Sequence, residues 1–341
     1  MRKYTVMIIF GGEGYESEVS VKSARFFEKL NSDARIFPIF VYISKDGRWY
    51  LSKNGKAECA PCDLLPLSLV RGGAVADGRY IGVDLALPVL HGDLGEDGFI
   101  TAILLHHKIK CVGSTYCLSS LLRDKAALKL FAKEMGVPTC DFVFYPEGYS
   151  PSGAELDLVA EELSLPVFVK PRRLGSSLGA SLVTAREGLE SAVSAASLKR
   201  GGGVIIERRV DAEIEAECAY LSSYEEKYAV GAVLTEGREY SFNRKYRGED
   251  GIKTLLSYPR CEAEREKIVE YSKLLVRGLG IAGLCRVDFF VTRGGEIFFN
   301  EINHMPGFTE DSLFPRLAFS CDSDFCDWVF YQCAPSGDRN I

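Results

Sequence analysis

Residues 286–309 read RVDFFVTRGGEIFFNEINHMPGFT, and no other stretch of the chain restricts the fold as tightly. Two apolar runs of β-branched and aromatic residues, 287–291 and 297–302, flank Thr-Arg-Gly-Gly, the composition of a hairpin turn. A two-residue loop at Arg293-Gly294 sets Asp288 opposite Phe299. Side chains alternate faces along a strand, so Asp288, Glu301 and Asn303 then share one face. Three hard oxygen donors converging there suit Mg²⁺, which prefers carboxylates, waters and phosphate oxygens. A three-residue loop would instead turn Asp288 to the opposite face.

A chain of 341 residues exceeds one typical core and points to two or three domains. With 47% hydrophobic and 26% charged residues it has the composition of a soluble globular protein. The net charge of -6 gives no support for a nucleic-acid or anionic-membrane partner. The short apolar run 6–10 is followed by Gly-Gly and acidic residues, and no run approaches the roughly 18 apolar residues of a membrane span. The expectation is a cytoplasmic protein. Most of the 11 cysteines sit in apolar runs as small buried hydrophobes. Cys59-Ala-Pro-Cys62 lacks the second pair a zinc site needs, and Cys321, Cys326 and Cys333 read as structural or incidental.

Strand and helix patterns alternate through the first third: strands at 6–10, 36–43 and 85–90, a helix at 20–30, and another after His91-Gly-Asp-Leu-Gly-Glu-Asp-Gly98. Residues 46–80 read as a hairpin or loop excursion, and the alternation predicts a small parallel-sheet α/β domain. Ser114 is positioned to cap a helix that runs past Phe131 and stops at Gly136-Val-Pro138. Further strands reach 204–207, a Gly- and charge-rich loop lies around 243–252, and a helix covers about 263–279. After the apolar strand 166–169 comes Lys170-Pro-Arg-Arg-Leu-Gly-Ser-Ser-Leu-Gly179. Its glycines let the backbone bend over a ligand, Ser176 and Ser177 offer donors to phosphate oxygens, and Lys170 adds a positive charge. Neither the P-loop nor the dinucleotide-binding fingerprint is present.

Taken together, GGEGYESEVSVKSA (11–24), HGDLGEDG (91–98), RDKAALK (123–129), VKPRRLGSSLGA (169–180), Lys245-Tyr246 and GLCRVDFF…NEINHMPGFTEDSLFP (283–315) occur in the order seen in D-alanine–D-alanine ligases of the ATP-grasp superfamily. The resemblance covers almost the whole chain. It implies an α/β protein with α+β elements in a three-domain ATP-grasp architecture. Its parts would be an N-terminal parallel-sheet α/β domain over 1–113, a central subdomain over 114–206, and a C-terminal subdomain with the metal and substrate site over 207–341. It also implies ATP, two Mg²⁺ ions (with Mn²⁺ able to substitute), D-alanine as substrate and a homodimer, in peptidoglycan precursor synthesis.

The resemblance assigns roles position by position. Lys125, Lys170 and Ser177 would bind nucleotide phosphates, Lys245 would close over the γ-phosphate, and Glu207 would meet the adenine. The ribose glutamate falls between Glu213 and Glu215, and the local Glu-Cys-Ala run favours Glu215. Asp288, Glu301 and Asn303 match the Mg²⁺ ligands. Arg286 would support the transferred phosphoryl group, with the Gly307 N–H as oxyanion donor. Glu16, Ser176 and Tyr246 correspond to a hydrogen-bonded triad in which Glu16 holds the first D-alanine ammonium. His91 would line that subsite, while Ser312 and the Leu313 backbone would take the second carboxylate.

Three departures stand out. His304 replaces the usual Thr after Glu-x-Asn, Ser257-Tyr-Pro259 replaces an Ile-Pro-Ala stretch, and residues 321–341 do not resemble an amphipathic closing helix. The alternatives are a D-alanine–D-serine ligase and a non-catalytic ATP-binding paralogue. A D-lactate ligase is disfavoured by Tyr246, where lactate makers carry histidine.

Overall fold

The computed structural model of the chain describes residues 3–198, 202–234, 253–319 and 322–334. Its strands form sheets of seven, four and five strands.

The first sheet grows from a parallel nucleus. Strand β1 (Tyr4–Gly11) leads through helix α1 (Ser17–Leu30) to the parallel strand β2 (Ile36–Ile43). Residues 6–10 are wholly buried, as in a strand covered on both faces. The stretch expected as a hairpin or loop excursion forms four strands joined as hairpins, not a loop: β3 (Trp49–Ser52), β4 (Leu64–Val70), β5 (Gly73–Ala76) and β6 (Arg79–Gly82). They run antiparallel outward from β2, so the sheet expected to be parallel is mixed. Asp77 and Gly78 join β5 to β6 at φ of 48° and 69°, the left-handed pair that matches hairpin twist. Strand β7 (Leu85–Pro88) closes the other side, parallel to β1, and α2 (Phe99–His106) follows.

The single helix expected after Ser114 is two, α3 (Tyr116–Arg123) and α4 (Lys125–Glu134). Thr115, not Ser114, caps the first by accepting from the Leu118 N–H. Asp124 adopts extended backbone between them and caps the second, accepting from the Ala127 N–H at 3.2 Å. The four-stranded sheet has the order β10 (Ser181–Val183), β9 (Val167–Pro171), β11 (Val204–Arg208), β8 (Phe142–Tyr145). Helices α5 (Gly153–Leu163) and α6 (Leu189–Ser197) pack Val159, Leu163, Leu189 and Val193 onto it.

The third sheet is antiparallel, in the order β14 (Lys253–Leu255), β13 (Lys227–Leu234), β12 (Ala212–Leu221), β15 (Leu284–Thr292), β16 (Ile297–Asn303). One face packs on α7 (Glu262–Leu279) and on α4, whose Leu128 and Ala132 share a core with Leu275, Phe289 and Phe299.

After the hairpin come α8 (Leu313–Ala318) and α9 (Asp322–Cys333). Residues 322–333 do form a closing helix, though not the amphipathic one whose pattern the sequence lacks. Helix α9 lacks a one-sided stripe because it is buried on several sides. Its Phe325 packs edge-on against Phe27 and Phe319, with Trp328 beside it, and completes the core of the N-terminal sheet. No described helix is long and apolar enough to cross a membrane.

Candidate active site

Register decides whether the hairpin ligands can meet. Phe289 pairs with Phe299, Phe290 with Phe298 and Val291 with Ile297. The Thr292 N–H donates to the Glu296 carbonyl at 3.0 Å, so the loop is residues 293–295, three residues and not two. That loop alone would turn Asp288 away from Glu301. A β-bulge intervenes: the next pair is Asp288 with Glu301, leaving Asn300 as the extra residue. Arg286 then pairs with Asn303, and all four side chains share a face. The expected convergence is present, reached by a different route.

Asp288 is the centre of this face. Arg286 forks onto it, Nε to Oδ1 at 2.7 Å and Nη2 to Oδ2 at 2.6 Å. Asn303 Nδ2 donates to Oδ2 at 2.9 Å, which leaves the Asn303 carbonyl available as a ligand. On the other side β12 sets Glu217 opposite Asp288, with Glu217 Oε2 3.3 Å from Arg286 Nε. Glu217, Asp288 and Glu301 thus stand in a row across adjacent strands, where like charges repel. Burial pushes the Asp288 carboxyl up to about 6; Arg286 opposes this, and Glu217 and Glu301 add to it. Glu215 points to the same face as Glu217, whereas Glu213 is exposed and 3.5 Å from Arg260. Among the described residues no three His, Cys, Asp or Glu side chains are grouped to hold a metal. Two carboxylates and an amide instead fit Mg²⁺, which completes its shell with phosphate and water.

Lys170, next to last in β9, sets its Nζ 2.5 Å from Glu207 Oε2, on the neighbouring strand β11. The other Glu207 oxygen lies 3.2 Å from Lys129 of α4, a lysine only 1% exposed. Burial alone would raise the Glu207 carboxyl, but Lys129 and Lys170 outweigh it and hold it at about 2. Lys129 was assigned no role from sequence; its spacing of four from Lys125 on one helix was the available signal.

Lys125 Nζ donates to the Leu174 carbonyl at 2.6 Å and lies 3.6 Å from Glu301. Arg172 and Arg173 both reach Asp124, fastening the 172–180 turn to the start of α4. In that turn Ser176 and Ser177 both take positive φ, 55° and 56°, which is uncommon for non-glycine residues and typical of functional sites. Ser176 Oγ donates to Glu16 Oε1 at 2.5 Å.

Glu16 is buried at the start of α1. A Cβ at Gly92, where φ is +66°, would lie 2.9 Å from Glu16 Oε2, so only glycine leaves that carboxylate its place. His91 is buried with Nε2 3.3 Å from Ser23 Oγ. Glu96, quoted above within a motif but given no role, is pushed up to about 7 by burial, with Glu16 and more weakly Glu301 adding to it and Arg123 opposing. It lines a cleft with Lys125, Gly175, Glu301 and Asn303. His304 Nε2 donates to the Glu96 carbonyl at 2.9 Å, tying that loop to β16, and burial lowers its pKa.

A Cβ on Gly307 would lie 2.9 Å from Ser312 Oγ, which itself accepts from the Thr309 N–H at 3.1 Å. Leu313 opens α8 beside them. Lys245 and Tyr246 lie outside the described residues. A groove of about 450 Å³ lined by Glu226, Tyr228 and Arg265 holds none of these groups.

Residues 5–114 match the family described as D-ala D-ala ligase N-terminus, and residues 131–329 match D-ala D-ala ligase C-terminus. The D-alanine–D-alanine ligase of Treponema pallidum is 34% identical over 331 residues, 92% of this chain and 83% of that protein. That of Thermoanaerobacter sp. strain X514 is 35% identical over 338 residues, 93% of this chain and 92% of that one. Among solved structures, the VanG D-Ala:D-Ser ligase from Enterococcus faecalis superposes with a TM-score of 0.85 at 28% identity, covering 98% of this chain and 100% of that one. D-alanyl-alanine synthetase A from Vibrio cholerae, at 23% identity and a TM-score of 0.84 over 98% of this chain and 99% of that one, supports the fold. With matches to both family halves and relatives at this identity over nearly its full length, the chain belongs to the D-alanine–D-alanine ligase family, of ATP-grasp fold.

Proposed function

We propose that this protein joins two D-alanines into D-alanyl-D-alanine with cleavage of ATP to ADP and phosphate, for peptidoglycan precursor synthesis in the cytoplasm, acting as a homodimer. The observation that carries the reading is the register that sets Asp288 opposite Glu301 and Arg286 opposite Asn303, with Lys125 3.6 Å from Glu301. Three-part division of the chain at 113/114 and 206/207 follows the same reading.

Glu16 holds the ammonium of the first D-alanine, and His91 borders its subsite. The first carboxylate takes the γ-phosphoryl group, and the amine of the second D-alanine attacks the resulting acyl phosphate, releasing phosphate. Lys125 and Lys170 offset phosphate charge, Ser177 lies in the turn over the phosphates, and Glu207 and Glu215 meet the adenine and ribose. Arg286 and the Gly307 N–H stabilise charge on the transferred phosphoryl group and the oxyanion. Ser312 and the Leu313 backbone hold the second carboxylate, and Lys245 and Tyr246 close the site against water. Asp288, Glu301 and Asn303 would hold two Mg²⁺ ions, which when bound neutralise charge on the phosphate oxygens.

The test is phosphate release with ATP, Mg²⁺ and D-alanine, with parallel reactions adding D-serine or D-lactate and products identified by mass. D-alanyl-D-alanine is the expected main product, and none from any pair would sink the reading. A D-alanyl-D-serine product is the second reading, because the D-Ala:D-Ser ligase superposes as well as D-alanyl-alanine synthetase A does, at TM-scores of 0.85 and 0.84.

Asp288 gives the cation site a pH signature. Its folded pKa of about 6 lies above the usual 3.8, so protonation favours the fold and this group adds stability as pH falls from about 6 toward 3.8. A cation needs the carboxylate, so Mn²⁺ binding to the nucleotide-free protein should weaken as pH falls through 6, toward tenfold per unit. Titration by electron paramagnetic resonance checks this. Flat affinity from pH 7 to 5 would remove Asp288 from the donor set.

A further inference from the structure

Glu217 is a buried carboxylate, 5% exposed, to which the reaction described above gives no task. It faces two side chains of the neighbouring strand β15: Asp288, directly opposite it in register, and Arg286, whose Nε is 3.3 Å from Glu217 Oε2. Arg286 therefore stands between two acids. It forks onto Asp288 through Nε and Nη2, and its Nε also faces Glu217.

The two acids have different fates when the site is loaded. Asp288, on binding a divalent cation, would hold the fork less tightly, since its oxygens would share their charge with the cation and the guanidinium would be repelled by it. Glu217 carries no such competition, because it lies on the far side of Asp288 from Glu301. We infer that Glu217 is a positioning residue: it retains Arg286 through Nε when the cation engages Asp288, leaving the Nη groups to turn to the phosphoryl oxygens. The inference rests on the ligase reading for the identity of the phosphoryl group, but the Glu217–Arg286 contact does not.

The test is a double-mutant cycle with a spectroscopic arm. Glu217→Gln keeps the volume and removes the charge. It should lower kcat roughly 10- to 100-fold, the range for removing a group that orients a reacting one, with KM for ATP and D-alanine within about threefold. In an Arg286→Lys background, which has no Nε to hold, the same change should cost less than about threefold. Glu217→Asp, which keeps the charge one methylene farther away, should fall between the two and guards against a Gln variant that does not fold. In the complex with Mg²⁺ and ADP, a slowly exchanging arginine Nε–H resonance that disappears in Arg286→Lys should shift or broaden in Glu217→Gln. Equal kcat losses in both backgrounds, or an unchanged resonance, would overturn the inference. A wild-type protein that forms no product would instead count against the ligase reading and leave the resonance as the test of the contact.

Discussion

Replacing Glu301 with Gln should abolish phosphate release while leaving the protein folded and about as stable as the parent. Glu301 stands directly opposite Asp288, so the native pair places two carboxylates face to face across β15 and β16. Opposed like charges in a sheet destabilise it, and glutamine removes one of them at almost unchanged volume. The contact with Lys125 at 3.6 Å, with the Glu301 side chain 28% exposed, is worth at most about 1 kcal/mol to the fold. Function loses much more. One of two carboxylates for the cations is gone, and turnover should fall at least about 10³-fold, since charge developing on the phosphates is no longer offset. Phosphate release and thermal unfolding in EDTA, measured on the same preparation, check both halves. Normal turnover would take Glu301 out of the cation site; a large loss of stability would mean that its role is structural.

The second large effect is on stability. Lys129→Met should cost about 3 kcal/mol, because removing one partner of a buried ion pair leaves the other uncompensated. Lys129 is 1% exposed and Glu207 2%, and the lysine also donates to the Phe299 carbonyl at 3.4 Å. It joins α4 to strands from two different sheets. Lys170 remains on Glu207, which keeps the expected loss at the lower end of the range for a broken buried pair. The pH window follows from the directions of both shifts. Glu207 is held at about 2, below its usual 4.5, so its contribution is complete above 4.5 and is lost as pH falls toward 2. Lys129 is raised above its usual 10.5, with burial opposing and Glu207 prevailing, so its contribution is complete below 10.5 and is lost at higher pH. The difference between parent and variant in urea unfolding should therefore be flat from about pH 5 to 10. Adding Glu207→Leu should restore part of the loss, as apolar replacement of a whole buried pair often does, while weakening nucleotide binding. A Lys129→Met protein within about 1 kcal/mol of the parent would show that the pair is not a structural anchor.

Much of the site was legible because its chemistry is written in local strings. The alternation of 287–291 and 297–302 requires strands, and Gly-Gly permits the turn. Asp288, Glu301 and Asn303 stand at set distances from it, and the ordered motifs identify the family. These are properties of chain neighbours, and residue type and spacing determine them.

Pairing with distant chain was not legible. The loop has three residues, the length that by itself would turn Asp288 away, and only the bulge at Asn300 returns Asp288 to the face of Glu301. For strands β3 to β6 the composition leaves a hairpin and a loop excursion open, because their partners are one another and composition does not reveal pairing. Helix α9 shows no apolar stripe because its surroundings, not its own period, decide which residues are buried. Lys129 and Glu217 look like ordinary surface charges until the fold buries each against an opposite charge. The sequence by itself therefore determined the family, the hairpin and the ligand types. The register, the burial of charge and the grouping of acids from three strands were decided only in the tertiary structure, because each depends on contacts between residues far apart in the chain.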